Sequence, residues 1–198
     1  MKRDSNLWND CLLSKKFTQF NKLRWATIGY HYDWTNKIYN HDDFTPIPTD
    51  IDQICKFIAS SLFFKDFKPE AGIINYYHLN STLSAHQDRS EKNMTAPLLS
   101  ISLGSQAIFL IGTESKSTKP EAIRLRSGDL CIMSGKSRLS YHGVPKVIKE
   151  DCIEEYFNYN ECSSDFIGSV FHVNDSEWQS FYEYIKINRI NLNIRQVF

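Results

Sequence analysis

Two stretches of the chain carry the apolar spacing of an amphipathic helix. The first begins near Thr49, whose hydroxyl can cap a helix N-terminus. The second begins near Ser176, where Gln179 completes a capping-box pattern. The apolar stripe of the first helix consists of Ile51, Ile54, Cys55, Ile58 and Leu62. The stripe of the second consists of Trp178, Phe181, Tyr182 and Ile185.

Between these helices the pattern is that of short strands separated by turn residues. Four apolar segments are predicted as strands: Gly72–Tyr77, Leu98–Leu103, Ala107–Gly112 and Asp129–Ser134. Short strands at regular spacing predict a mainly β fold with flanking helices (α+β), in the form of a jelly roll or barrel. Residues 145–175 have no clean periodicity, and we expect them to be an insertion.

The C-terminal segment alternates polar and apolar residues, which is the pattern of a strand with two different faces. Its polar face consists of Arg189, Asn191, Asn193 and Arg195. Two guanidinium groups on one face repel each other unless an anion lies between them, and arginine is well suited to binding carboxylates. The alternative is a solvated edge strand with scattered cations.

The charge distribution adds one asymmetry to this picture. The 198 residues include 23 Lys and Arg and 23 Asp and Glu, so the neutral chain has no overall attraction for a polyanion. Residues 1–22 nevertheless form a basic N-terminal segment, whereas residues 150–183 contain acidic residues and no Lys or Arg. A bound polyanion is therefore expected to meet the N-terminal side. The alternative is two ordinary solvated faces.

The five cysteines favour an intracellular, reducing compartment, because their number is odd and no C-x-x-C pair occurs. We expect the nucleus or the cytoplasm, with the mitochondrion as an alternative. No apolar run approaches the roughly 18 residues of a membrane span, so no membrane association is expected. A small zinc site formed by Cys152, Cys162 and His172 is a minor alternative for the insertion.

The sequence His86-Gln87-Asp88 is the first candidate for chemistry. Residues i and i+2 of a strand point to the same side, so this imidazole and this carboxylate converge. One more distant histidine would complete a 2-His-1-carboxylate set, which binds non-haem Fe(II) and leaves open positions. His142, which follows an apolar strand, is the natural third member. A dicarboxylate held by the arginine face beside such an iron suggests 2-oxoglutarate. The alternative for His86 is a core histidine that binds no metal.

Together these segments resemble the AlkB family of Fe(II)- and 2-oxoglutarate-dependent dioxygenases, and most closely its homologue 1 subgroup. The resemblance runs from about Leu23 to Val197. The segments that match the family's metal and co-substrate motifs are Asn75–Tyr77, Leu83 with His86–Asp88, Ser137–Gly143 and Arg189–Arg195. The segments that are similar to the subgroup are Leu23–Trp34, Ala71–Tyr77, Asp88–Glu91 and Ile132–Gly135.

The resemblance implies that residues 23–198 form a double-stranded β-helix, a jelly-roll or cupin-like core with the metal inside its open end. It implies three iron ligands, which are His86, Asp88 and His142. It implies seven residues around the co-substrate 2-oxoglutarate, which are Asn75, Tyr77, Leu83, Ser100, Arg189, Asn191 and Arg195. Among these, Arg189 and Tyr77 would hold the distal carboxylate. The lid aromatics Trp25 and Tyr32 would lie over the substrate base, and O2 would be the oxidant.

Two positions depart from the family pattern. Asn193 stands where the family usually has Thr, a change that a polar face should tolerate. Ser90 stands where bacterial AlkB has an acid that helps to recognise the damaged base. Glu91 follows, but in a strand it would point away. The substrate set of bacterial AlkB is therefore not carried over. Of the aromatics near the lid, Tyr30 and Trp34 are expected to lie in the core.

These features are compatible with three functions. The resemblance favours oxidative demethylation or hydroxylation of a methylated nucleobase in unpaired DNA or RNA, including tRNA. The acidic segment would suit a basic protein partner, such as a histone that carries methyl-lysine. A DNA-lyase-type activity that does not use the iron is disfavoured by the intact motifs. We expect a monomer.

Overall fold

A computed structural model describes residues 22–149 and 181–198, and within these ranges the fold consists of two antiparallel sheets and flanking helices. The strands are β1 (Trp25–Asp33), β2 (Ile38–Thr45), β3 (Ala71–Tyr77), β4 (Leu83–His86), β5 (Leu98–Gly104), β6 (Gln106–Ile111), β7 (Glu121–Leu125), β8 (Leu130–Met133), β9 (His142–Ile148) and β10 (Arg189–Arg195). Helix α1 spans Thr49–Ser61, and residues 181–185 are also helical. No helix in these two ranges is long and apolar enough to cross a membrane.

The two sheets pack face to face. One sheet has six strands in the order β2-β1-β3-β10-β5-β8, and the other has four in the order β4-β9-β6-β7. Apolar residues from both sheets form one buried cluster, namely Tyr77, Leu98, Ala107, Phe109, Leu125, Met133, Val144 and Val147. Two antiparallel sheets that enclose one core are the architecture of a jelly roll, so the predicted fold class is confirmed.

Helix α1 covers the outer face of the six-stranded sheet, where its buried residues Cys55 and Ala59 join an apolar cluster with Ile194 of β10. Its N-cap is Pro48, not the predicted Thr49, and no side chain caps the helix. Proline fixes its own φ and has no N–H that needs a partner. The extended approach therefore ends at Pro48, and Thr49 becomes the first helical residue.

The four strands that were predicted between the helices correspond to β3, β5, β6 and β8, each within one residue of its expected bounds. The first residues of the expected insertion belong to β9, which continues to Ile148 and buries Val147 in the core. The rest of that segment, with the zinc alternative at Cys152, Cys162 and His172, lies outside the described residues. The predicted start of the second helix at Ser176 does so as well.

Strand β10 is a central strand, because it pairs with β3 on one side and with β5 on the other. Arg189 lies opposite Tyr77 of β3, and Asn191 lies opposite Asn75. Both Arg189 and Arg195 are buried. The alternative of a solvated edge strand is therefore excluded, and the polar face of β10 lies inside the sandwich.

Two glycines with positive φ allow a test of how closely β5 approaches the segment before β10. Gly104 has φ +78°, and a Cβ there would lie 2.4 Å from the carbonyl oxygen of Asn188. Gly128 has φ +86°, but a Cβ there would meet nothing within 4 Å. Alanine costs about 1–3 kcal/mol in backbone strain at either position, and overpacking adds about 1–3 kcal/mol at Gly104. Urea unfolding should therefore show a larger loss of stability for Gly104→Ala than for Gly128→Ala. Equal losses would contradict the close approach.

Candidate active site

A cavity of about 510 Å³ opens between the two sheets. Its walls come from both sheets, and every residue that the sequence analysis assigned to metal, co-substrate or lid lines it. Its volume is within the usual range for a small-molecule site. One concave site thus collects residues that are more than a hundred positions apart in the chain.

The two histidines and the aspartate meet at one side of this cavity. His86 ends β4 and His142 begins β9, and the pairing of these strands places the two residues opposite each other. The Nε2 atom of His86 lies 3.9 Å from Asp88 Oδ1, and the Nε2 atom of His142 lies 3.5 Å from Asp88 Oδ2. The three potential ligand atoms lie within 4.8 Å of one another, so this group could hold a metal ion.

Backbone carbonyls fix the orientation of both imidazole rings. His86 Nδ1 donates to the carbonyl oxygen of Ser84 at 2.9 Å, and His142 Nδ1 donates to that of Ser140 at 3.0 Å. A carbonyl oxygen can only accept, so each Nδ1 carries the hydrogen and each Nε2 keeps a free lone pair. This is the usual way in which proteins prepare histidine to bind a metal. Two imidazole nitrogens and one carboxylate are a donor set that suits Fe(II).

Asp88 is held in its ionised form. Burial alone would raise the pKa of its carboxyl group, but the guanidinium of Arg195 holds that pKa well below its usual range. The Nη1 atom of Arg195 lies 3.3 Å from Asp88 Oδ1, and the amide of Asn193 donates to Asp88 Oδ2 at 3.4 Å. Asn193, in place of the family's Thr, therefore serves as a weak support for the carboxylate.

The other end of the β10 polar face has a different charge balance. Arg189 is only 1% exposed, and its Nη2 donates to Ser102 Oγ at 2.9 Å. Its Nε and Nη1 atoms are buried without a hydrogen-bond partner among the described residues. Burial lowers the pKa of this guanidinium, and Tyr77 and Asp129 partly oppose that effect. A buried cation with unused donors in a cavity wall is a site for an anion.

Polar groups continue from Arg189 toward the triad. Burial raises the pKa of Tyr77 to about 12, so its phenol stays protonated at neutral pH and can donate to an anion. The amide of Asn191 donates to Ser100 Oγ at 2.8 Å and to the carbonyl oxygen of Ile101 at 3.1 Å, which fixes its orientation. A small dicarboxylate could therefore bind with one end at Arg189 and the other at the metal. The donor set and the unpaired guanidinium both fit Fe(II) with 2-oxoglutarate.

Aromatic side chains surround the mouth of the cavity. The ring centroids of Trp25 and Trp34 are 5.8 Å apart, and Tyr32 contacts Trp34 at 4.9 Å. The expectation that Trp34 lies in the core is wrong, because this side chain is 56% exposed and lines the cavity. The chain turns at Asp33, whose Oδ1 accepts from the backbone N–H of Thr35. Trp34 therefore leaves the sheet at the rim of the cavity.

Other lining residues were missed by sequence reasoning. Trp34 is one of them, because the turn at Asp33 takes it out of β1 and strand alternation no longer decides where its side chain lies. Lys37 in the same turn and Tyr39 of β2 also line the cavity. Glu91 does not line the cavity, as expected. That expectation assumed a strand, whereas Glu91 lies in a loop. Tyr30 is partly buried and packs on Phe198 beside a small core cluster, so its predicted place in the core is confirmed only in part.

Comparison with known proteins places this chain in a family. The sequence matches the 2OG-Fe(II) oxygenase superfamily over residues 8–195. The chain belongs to this superfamily. Its cofactors are therefore Fe(II) and 2-oxoglutarate with O2, as the sequence predicted.

Individual relatives give a finer placement. The chain is 42% identical to the nucleic acid dioxygenase ALKBH1 of Homo sapiens, over 89% of this chain and 46% of the relative. It is 42% identical to the tRNA demethylase abh1 of Schizosaccharomyces pombe, over 89% of this chain and 53% of the relative. The solved structure of OsALKBH1 superposes with a TM-score of 0.62 at 25% identity, covering 87% of this chain and 77% of that one. The predicted homologue 1 subgroup is confirmed, and the chain spans about half the length of these curated relatives.

The buried Nε and Nη1 atoms of Arg189, which lack a hydrogen-bond partner among the described residues, lead to a prediction about co-substrate binding in this 2OG-Fe(II) oxygenase. Arg189→Ala should raise the 2-oxoglutarate concentration for half-saturation about 10- to 150-fold, since a charge-assisted hydrogen bond contributes about 1.5–3 kcal/mol. Metal binding should persist, because Arg189 makes no ion pair with Asp88 in the described structure. The measurement is a 2-oxoglutarate titration, with the exposed Arg126→Ala as the control. Unchanged half-saturation in Arg189→Ala would mean that another group anchors the carboxylate.

Proposed function

We propose that this protein is a dioxygenase that oxidises methyl groups on bases of unpaired DNA or RNA, with Fe(II) held by His86, Asp88 and His142. The observation that carries the proposal is a single cavity with two complementary ends. One end has an oriented His-Asp-His group, and the other has a buried guanidinium without an anion among the described residues. The mouth of the cavity is aromatic and open.

Co-substrate binding is assigned to the polar face of β10 and its neighbours. Arg189 and Tyr77 bind the distal carboxylate, and Leu83 and Ser100 form part of the wall. Asn75, Asn191 and Arg195 serve the end nearer the metal. Arg195 does so mainly through Asp88 and Glu91, to which it is ion-paired. The Nε and Nη1 atoms of Arg189, which have no partner among the described residues, therefore select which end of the dicarboxylate points away from the metal.

When bound, Fe(II) and 2-oxoglutarate use O2 to convert a methyl C–H bond into C–OH, with release of succinate and CO2. A hydroxymethyl group on nitrogen then collapses to formaldehyde, whereas one on a base carbon remains an alcohol. The protein orients the reactants and limits the access of water. The backbone carbonyl groups of Ser84 and Ser140 keep the two imidazole ligands in place. The apolar side chains of Phe109 and Met133 border the cavity from the core.

The mouth supports a planar substrate. Trp25 and Trp34 are both more than one-third exposed and lie in contact at the rim, where a base could stack on either ring. Lys37 in the adjoining turn is a cation at the same rim. A chemical step on a base requires that the base leave its stack, so an unpaired base is the simplest substrate. The names of the human and fission yeast relatives, which specify nucleic acid and tRNA, support this class of substrate.

A second hollow, of about 390 Å³, supports a longer contact with nucleic acid. It shares Leu83 and His142 with the first cavity, so the two lie side by side. The ammonium group of Lys116 lies 5.0 Å from the ring centroid of Tyr141 at this hollow. A cation beside an aromatic face suits a phosphate with its neighbouring base. A strand that enters the first cavity could continue along this side.

A methylated lysine is the second candidate substrate, and the same aromatic cluster favours it. Trp34 contacts both Trp25 and Tyr32, and aromatic faces bind methylated ammonium groups by cation–π attraction. Lys37 argues for nucleic acid instead, because its positive charge at the rim would repel a basic peptide.

The proposed substrate is tested by comparing one methylated base in an unpaired and in a fully paired oligonucleotide. Extrusion of a base from a duplex costs a few kcal/mol, and aromatic stacking returns about 1–3 kcal/mol per base. Turnover, measured as formaldehyde and succinate, should therefore be faster for the unpaired base. Equal rates, or a faster reaction of a methyl-lysine peptide, would contradict the nucleobase assignment.

Trp25→Ala should slow this turnover and leave substrate-independent succinate formation unchanged, with the distant exposed Phe57→Ala as the control.

A further inference from the structure

Asp88 belongs to a row of buried charges that extends away from the cavity. The carboxylate of Glu91 lies between two guanidinium groups. Its Oε1 accepts from Arg195 Nη1 at 2.7 Å, and its Oε2 accepts from Arg138 Nη2 at 3.0 Å. The Glu91 side chain has no exposed surface, and neither Glu91 nor Arg138 lines the cavity. Glu91 therefore contacts neither the co-substrate nor the substrate, and any effect it has on the reaction passes through other residues.

Both guanidinium groups also hold Asp88. Arg138 Nη1 donates to the main-chain oxygen of Asp88 at 2.7 Å, and Arg195 Nη1 donates to Asp88 Oδ1 at 3.3 Å. A charge-assisted hydrogen bond is normally about 2.7–2.9 Å long. Arg195 Nη1 therefore makes its strong bond with Glu91 and a loose one with Asp88. The Asp88 carboxylate is ionised yet not fully engaged by its arginine.

We propose that Glu91 is a positioning residue that prepares Asp88 for the metal, an inference that rests on the assignment of Asp88 as a ligand in the proposed function. Arg195 and Arg138 both place a positive charge beside Asp88, opposite the position of a bound dication. The negative charge of Glu91 neutralises one of these two charges and so reduces their repulsion of the metal. It also keeps Arg195 from closing onto Asp88 Oδ1 and competing with the metal for that oxygen. Both effects raise metal affinity without any contact between Glu91 and the metal.

The position of Glu91 does not depend on Asp88. The backbone N–H groups of the next two residues, Lys92 and Asn93, donate to the carbonyl oxygen of Val197 at 2.8 and 3.0 Å. The hydroxyl of Tyr39 donates to Glu91 Oε1 at 3.4 Å. Because the main chain is anchored in this way, Glu91→Gln changes the charge of the side chain and keeps its shape and its backbone.

The test is a titration of the metal-free protein with Co(II), without 2-oxoglutarate and without substrate. Substitution of residues that support metal ligands weakens metal binding by about 10- to 100-fold. Glu91→Gln should therefore raise the Co(II) dissociation constant by that factor and change the visible Co(II) spectrum. The matched control is Glu70→Gln, because Glu70 also binds the C-terminal segment, through the N–H groups of Val197 and Phe198. This control should bind Co(II) like wild type. Melting temperatures show whether each variant is folded.

Asp88→Ala separates a failure of the positioning role of Glu91 from a failure of the assignment of Asp88 as a metal ligand. Loss of Co(II) binding in Asp88→Ala together with wild-type affinity in Glu91→Gln would overturn the positioning role and leave the ligand assignment intact. Wild-type affinity in Asp88→Ala would overturn the ligand assignment itself, and the positioning role with it. If Glu91→Gln does not fold, Glu91→Asp replaces it, since a side chain shorter by one methylene cannot reach both guanidinium groups. Weaker Co(II) binding by Glu91→Asp is then expected, and wild-type affinity would overturn the proposal.

Discussion

The polar face of β10 has to be buried, and the rest of the site depends on how the buried charges of that face are paired or hydrogen-bonded. As a central strand between β3 and β5, β10 cannot turn Arg189, Asn191 and Arg195 toward solvent. A buried charge is tolerated only when it is paired or hydrogen-bonded. Each polar residue of this strand therefore needs a partner inside the sandwich, either from the protein or from a bound molecule.

The two arginines meet this requirement differently. Arg195 is paired with Asp88 and Glu91, and these carboxylates raise the pKa of its guanidinium against the effect of burial. Arg189 has the hydroxyl of Ser102 and the phenol of Tyr77 nearby, and burial lowers its pKa. The same strand thus has one arginine that is paired with Asp88 and Glu91, and one that has no carboxylate partner among the described residues. We propose that a dicarboxylate of suitable length supplies the missing anionic partner at Arg189.

Much of the candidate site could be predicted from sequence, because several of its residues are only a few positions apart in the chain. The i, i+2 relation of His86 and Asp88 and the alternation along β10 are local, and both are present in the structure. The long-range arrangement was available only through the family resemblance. Nothing local shows that β4 pairs with β9 and thereby brings His142 to His86. The position of Trp34 was wrongly predicted because it depends on the turn at Asp33. The contact of Glu91 with Arg138 could not be predicted, since the two residues are 47 positions apart in the chain.

The most direct measurement is a crystal structure of the protein with Mn(II), in place of Fe(II), and 2-oxoglutarate. The account predicts that Mn(II) is bound by His86, Asp88 and His142. It further predicts that the distal carboxylate of 2-oxoglutarate accepts hydrogen bonds from the Nε and Nη1 atoms of Arg189 that have no partner in the described structure. A metal bound elsewhere, or a dicarboxylate whose distal end leaves Arg189 without an anion, would contradict it.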